Sequence, residues 1–307
     1  MVMSASVIPT NEQTAEANNG PLIIPENLLA SQSVIPPYWT ANPGVASTDV
    51  SDSVGNGRRA IDYALDTPFF TSDASSQFHY VHFQINASEA DTFILKMSAI
   101  SGTYNITVEL ADNSSYTGSI TVAAWTNITN TNRLVQSGLP TSAAPSTYTH
   151  RLSGVTHGRI TFEKIGGSAA PPPAIGEIVL GRRRGLSHAI QSGSDDKPRG
   201  VSFAEVVTAG RKRFRYVHAA GYEDHDASYK LGEVSILGMN DLATLREVQE
   251  RSNFGAQAVW ARFRTSSNWV FGYLDGAIDL PLESGQFTER EWSYSFFEQP
   301  PFASKET

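Results

Sequence analysis

Residues 76–180 constrain the fold most. They form a succession of short segments in which apolar and hydroxyl side chains alternate. From Phe78 to Ile85 the alternation puts His79, Val81, Phe83 and Ile85 on one face and Phe78, Tyr80, His82 and Gln84 on the other. Thr92–Met97, Tyr104–Leu110, Ser119–Trp125, Thr147–Leu152 and Arg159–Phe162 follow, separated by Gly, Ser, Asn and Asp. Side chains that alternate with period two, broken by turn residues, predict six or seven antiparallel strands in a two-layer sandwich. The run closes through Pro171-Pro172-Pro173 into a last strand, Ile175–Leu180.

The flanks read differently. Residues 1–47 contain Pro9, Pro21, Pro25, Pro36, Pro37 and Pro43, which interrupt helices and central strands. The segment is expected to be an extended N-terminal arm. Its apolar clusters, Leu22, Ile23 and Ile24 with Tyr38 and Trp39, are expected to dock on a neighbouring subunit, because disordered tails rarely carry such side chains. Residues 48–180 are the sandwich and 181–200 a polar linker. Residues 201–307 are a smaller α+β domain with a short tail. Asn240 or Asp241 can cap a helix through Leu242, Leu245 and Val248. In Arg290–Phe296, Trp292, Tyr294 and Phe296 share one strand face.

Composition narrows the function. Of 307 residues 40% are hydrophobic and 18% charged, and the net charge is -8, which disfavours general binding to phosphate backbones. The two basic runs, Arg182–Arg184 and Arg211–Arg215, are therefore read as partners for carboxylates rather than as nucleic-acid contacts. The chain has no Cys, so disulfides and thiolate metal sites are excluded. No apolar run is long enough to cross a bilayer as a helix, and Met1–Ala5 carry no secretory signature. The Asn-x-Ser/Thr triplets at Asn86, Asn105, Asn113 and Asn127 are read as strand and turn residues.

No motif for covalent catalysis or phosphate binding occurs, and the chain is expected not to be an enzyme. Glu223-Asp224-His225-Asp226 is the densest group of candidate ligands. Neighbours on an extended segment point to opposite sides, so the group reads as a solvated turn. His79 and His82, three apart, fall on opposite faces of their strand and are poor co-ligands.

Ala60-Ile61-Asp62-Tyr63-Ala64-Leu65-Asp66-Thr67-Pro68-Phe69-Phe70, with Arg159–Phe162 and Ile175–Leu180, resembles the opening motif and final strands of discoidin-like, galactose-binding-like domains. Phe69 or Phe70 stands where that family usually has Trp. The resemblance implies a galactose-binding-like β-sandwich, with a structural calcium held by Asp49, Asp52 and Asp62 through loop oxygens. The whole order also resembles minor tail proteins of long-tailed bacteriophages. There a sandwich leads through an Ile-Gly-Glu-Ile strand and a Gly-Arg-Arg element to a domain ending like Trp292-Ser293-Tyr294-Ser295-Phe296-Phe297-Glu298.

The expected protein is thus mainly β: an extended N-terminal arm, an antiparallel galactose-binding-like β-sandwich, then a smaller α+β domain. The resemblance implies a structural component of a bacteriophage virion at the tail tip or baseplate, made in the host cytoplasm. Its partners would be other virion proteins, copies of itself and a host cell-surface glycan, with no nucleic acid and no membrane insertion. The alternatives are a carbohydrate-binding module and a capsid decoration or head-fibre protein.

Overall fold

A computed structural model describes residues 3–7, 10–40, 57–63, 69–71, 76–98, 100–129, 131, 133–139, 150–167, 170–187, 203–207, 213–217, 224–231, 236–253, 256–263, 269–275 and 290–298. In chain order the elements are β1 (Ser4–Val7), α1 (Thr10–Ala17), β2 (Leu22–Ile24), α2 (Leu28–Gln32), β3 (Ser33–Thr40), β4 (Phe78–Ala90), β5 (Thr92–Met97), β6 (Thr103–Ala111), β7 (Ile120–Ile128), β8 (Arg133–Ser137), β9 (His150–Ile165), β10 (Ile175–Gly181) and β11 (Arg184–Gly185). They continue with β12 (Phe203–Val207), β13 (Arg213–Val217), β14 (Asp224–Leu231), α3 (Ile236–Arg251), β15 (Val259–Arg262), β16 (Val270–Asp275) and β17 (Arg290–Glu298).

The chain divides into two compact units. One is built chiefly from Met1–Pro9 and Glu26–Arg183, the other from Thr10–Pro25 and Arg184–Ala303. In the first, a large antiparallel sheet runs β3-β4-β9-β6-β7, with β1 added to the start of β9, and faces a smaller sheet β10-β5-β8. All pairings are antiparallel. This is the antiparallel two-layer sandwich that the alternation predicts. Two strands read separately, Thr147–Leu152 and Arg159–Phe162, belong to the single long β9.

Alternation decides the core. Val81, Phe83 and Ile85 of β4, Ile106, Val108 and Leu110 of β6, and Ile160 and Phe162 of β9 point inward. They meet Phe93, Leu95 and Met97 of β5 and Ile178 and Leu180 of β10. Burying such a side chain stabilises by about 1.5–3 kcal/mol, and this term drives the two sheets together. A buried ion pair closes one end. Asp91 accepts from Arg151 Nε and Nη2 at 3.0 and 2.8 Å, and also from the Arg183 backbone N–H at 2.9 Å. Both edge strands of the large sheet are irregular in register, β3 twice against β4 and β7 twice against β6. Bulges of this kind discourage edge-to-edge pairing between chains.

The second unit holds the antiparallel sheet β11-β2-β15-β16-β17-β14 and the pair β12-β13. Ile23, Leu245, Val248, Val259, Ala261, Phe263 and Phe296 share its core. Buried Asp241 of α3 accepts from Ser187 Oγ at 2.6 Å and from the Ser187 backbone N–H at 3.0 Å. Arg184 is held between Glu12 of α1 and Glu247 of α3.

The extended-arm expectation is corrected. Pro21 and Pro25 fall between elements and Pro36 and Pro37 in the edge strand β3, where a missing N–H is tolerated, while Pro9 and Pro43 lie outside the described residues. The described residues between them fold. Leu22, Ile23 and Ile24 form β2, inserted between β11 and β15 and at most 1% exposed. Tyr38 and Trp39 lie in β3, with Tyr38 buried and Trp39 stacked on Phe69 at 5.5 Å. The side chains read as a docking patch for a neighbour are covered by their own chain. Asn27 makes the turn possible: its Oδ1 caps α2 at Leu29 N, and its Nδ2 donates to Glu177 Oε1 and to the Ile178 carbonyl. Of the expected linker, Arg184–Gly185 form β11 and Leu186 is buried, while 188–200 lie outside the described residues. The turn expected at Glu223–Asp226 is also corrected, since Asp224, His225 and Asp226 begin β14 and pair with Phe297, Phe296 and Ser295.

Candidate functional site

The outward face of the large sheet carries the densest set of polar and aromatic side chains in the sandwich. Because inward positions are filled by the core, the intervening residues of β4, β9 and β6 must face out. Register aligns them in three rows. Phe78, Glu163 and Asn105 are opposite one another; so are Tyr80, Thr161 and Thr107, and then His82, Arg159 and Glu109. Strand spacing of about 4.8 Å and a rise of about 6.8 Å per two residues fix the size of this grid.

The third row is sealed. Tyr116, from the β6–β7 turn, folds back over it with a φ of 56°. Asn113 holds that turn by accepting from Thr117 N and Ser115 Oγ and by donating to the Thr117 carbonyl. Tyr116 Oη donates to the Gly158 carbonyl at 2.8 Å and lies 2.9 Å from His82 Nδ1. One hydroxyl has one proton, so the His82 ring supplies the N–H of the second bond. Tyr38 stacks on His82 at 5.5 Å, and the Arg159 guanidinium sits 4.6 Å from the centre of the Tyr116 ring. Arg159 also makes two bonds to Glu109 Oε2. Burial pushes the Tyr116 phenol well above its ordinary value and holds the His157 imidazole below its own, against a smaller opposing pull from Asp112. The protonated phenol and the buried His82 ring fix this row through their hydrogen bonds.

The first two rows are open. Phe78 is 41% exposed, and Tyr80, Thr161, Thr107, Asn105 and Glu163 are half-buried. Asn105 is used up, donating to Glu163 Oε2 at 2.8 Å and accepting from Asn127 N at 3.0 Å. The hydroxyls of Tyr80, Thr161 and Thr107 and the second oxygen of Glu163 have no partner among the described residues. The arrangement pairs aromatic surface with hydroxyl and carboxylate hydrogen-bonding groups, without a paired acid and base.

Of the expected calcium ligands, Asp49 and Asp52 lie outside the described residues. Asp62 is exposed, and its charge, after burial itself, helps push the buried Glu177 carboxyl well above the ordinary range. Among the described residues no three acidic or His side chains stand close enough to hold a metal ion, so no step is derived through calcium. His79 and His82 do fall on opposite faces: His79 is buried on the core side near the Ser76 carbonyl. No described helix is long and apolar enough to cross a membrane. Sequence reasoning placed the members of the open rows on strands but did not align them across strands, because register depends on bulges and turn lengths that no local pattern reveals.

No family model and no curated protein matches the chain. Carbohydrate-binding modules are among the solved structures that overlap it. CpGH89CBM32-6, produced by Clostridium perfringens, shares 13% identity over 50% of this chain and 98% of that one, with a TM-score of 0.34. Chitosan-binding module 1 from the chitosanase/glucanase of Paenibacillus sp. IK-5 shares 13% over 50% and 98%, with a TM-score of 0.35. CBM32 of AlyQ in complex with 4,5-unsaturated mannuronic acid shares 16% over 40% and 83%, with a TM-score of 0.27. With scores this low, the sandwich is assigned from its own strand order.

Proposed function

We propose that the chain is a non-catalytic carbohydrate-binding protein whose ligand lies on the open rows of the large sheet. The observation that carries this reading is the register of Phe78 and Tyr80 with Glu163, Thr161 and Thr107. A sugar ring offers an apolar C–H face to an aromatic plane and a rim of hydroxyls to nearby donors and acceptors. Both are present in one patch, at spacings set by the sheet rather than by loops. The sealed third row serves as its rigid wall.

A glycan array with the full chain tests the reading. Binding to at least one saccharide class, lost in both Phe78→Ala and Tyr80→Ala, supports it. Silence across the array, or binding untouched by both substitutions, removes it.

The finer expectation, a bacteriophage tail-tip component, belongs to the same proposal. It is supported by the sequence resemblance through Ile175–Arg184 and Trp292–Glu298. On that reading the sheet face meets host glycans while the second unit contacts other virion proteins, and locating the protein in an electron-microscopy map of particles tests it. A calcium held by Asp49, Asp52 and Asp62 is likewise proposed, and a rise in thermal midpoint on adding calcium reads it.

A further inference from the structure

Glu163 differs from the other charged groups of the outward face. Glu109 is neutralised by Arg159 at 2.6 Å, whereas among the described residues the carboxylate of Glu163 receives one neutral amide hydrogen bond, from Asn105. Directly across the β4–β9 pair stands Phe78, and one row along stands Tyr80. Opposed residues have Cβ atoms about 4.5–5.5 Å apart and diagonal ones about 7–8 Å, so both rings lie within reach of a group bound at Glu163. The cation already on this face, Arg159, bonds Glu109 and lies 4.6 Å from the centre of the Tyr116 ring and 6.0 Å from that of Tyr80, so Phe78 is the ring beside Glu163 that no described cation on this face already meets.

We infer that this corner takes a protonated primary amine, and that the saccharide recognised is an amino sugar with that amine unsubstituted. The inference rests on the sugar-binding reading of the same face. A carboxylate with Phe78 directly across the strand pair and Tyr80 one row along attracts an ammonium group. Carboxylate and ring quadrupole attract it additively, and water is partly excluded on the ring side. An N-acetyl group at the same position brings neither charge nor an ammonium donor. Glu163 would then face a neutral amide, with its charge uncompensated and part of its hydration lost. The site therefore discriminates by charge at one ring substituent, while the flanking Thr161, Thr107 and Tyr80 hydroxyls accept the ring's own hydroxyls.

The test is calorimetry of the full chain with glucosamine oligomers, the matching N-acetylglucosamine oligomers and a neutral hexose oligomer, in the wild type and in Glu163→Gln. Gln keeps an acceptor for Asn105, so folding is preserved and is verified by an unchanged thermal midpoint. The expected result is a preference of about tenfold for the free amine in the wild type, abolished in Glu163→Gln as the free-amine oligomer binds more weakly and the acetylated oligomer no less tightly than before. A preference that survives Glu163→Gln would come from the net charge of -8 alone and overturns the inference. Equal affinities in the wild type, or binding of the neutral hexose oligomer only, also overturn it while leaving the sugar-binding reading intact. Failure to bind any saccharide overturns both.

Discussion

Tyr116 and His82 are joined by a 2.9 Å hydrogen bond on the outward face of the large sheet, although they come from the β6–β7 turn and the middle of β4. The same phenol donates to the Gly158 carbonyl of β9, so one side chain ties three neighbouring strands of the sheet together. Tyr116→Phe keeps the ring and its stacking beneath Arg159 but strands two buried polar groups. It is expected to cost about 1–3 kcal/mol, read by urea denaturation. A loss below a few tenths would mean that solvent satisfies both groups.

Gly158 has no side chain because the Phe83 ring already occupies the place. A Cβ built there meets three ring carbons inside any allowed contact distance. Gly158→Ala is expected to destabilise by about 1–3 kcal/mol, the ordinary cost of overpacking. The informative measurement is a double-mutant cycle. Phe83→Leu in the Gly158→Ala background should recover part of the loss, with a coupling of about 0.5–3 kcal/mol. Independent, additive losses would show that the ring moves aside without strain.

These two contacts mark where legibility ended. The face to which each residue of β4 points could be read from its alternation, so the separation of His79 from His82 and the inward run Val81, Phe83, Ile85 follow from sequence alone. Which residue stands across from it could not. Glu163 meets Phe78 only when β4 pairs with β9 across the intervening β5–β8, a pairing that carries two register shifts of its own. In the N-terminal segment the prolines read as marks of an extended docking arm. They are equally suited to junctions between short elements, and the cap Asn27 ahead of Leu28 and Leu29 was the signal in favour of structure there.

Asp91 and Arg151 are both buried, and the carboxylate also holds Arg183 N and Thr92 Oγ1. Removing one member leaves a charge without its partner in a low-dielectric site. Asp91→Ala and Arg151→Ala are each expected to cost about 3–5 kcal/mol. The double variant should cost clearly less than their sum, which chemical denaturation of the three proteins measures directly.

His157 supplies a pH dependence. Burial holds its imidazole below the ordinary value of about 6.5, so the native state binds fewer protons than the unfolded chain in the mildly acidic range. Stability from this group is complete above about 6.5 and is lost as pH falls through the depressed native value. His157→Gln should therefore flatten the fall in unfolding free energy between neutral and mildly acidic pH. An identical slope in wild type and variant would show that other groups dominate.

Deleting residues 1–47 is expected to unfold the second unit rather than to release a spare arm. The deletion removes β2 from between β11 and β15, and with it Leu22, Ile23 and Ile24, none more than 1% exposed. At about 1.5–3 kcal/mol for each side chain, the loss approaches the whole stability of an ordinary domain, about 5–15 kcal/mol. It also removes Glu12 from Arg184, which keeps Glu247, and Glu16 from Arg262. Circular dichroism and limited proteolysis of the truncated chain should report a collapsed or cleaved second unit. A truncated protein with native ellipticity and protease resistance would mean that β11 and β15 close the gap by pairing with each other. The single substitution Ile23→Asp, which keeps the segment but places a charge in that core, then separates loss of the strand from loss of its apolar side chain.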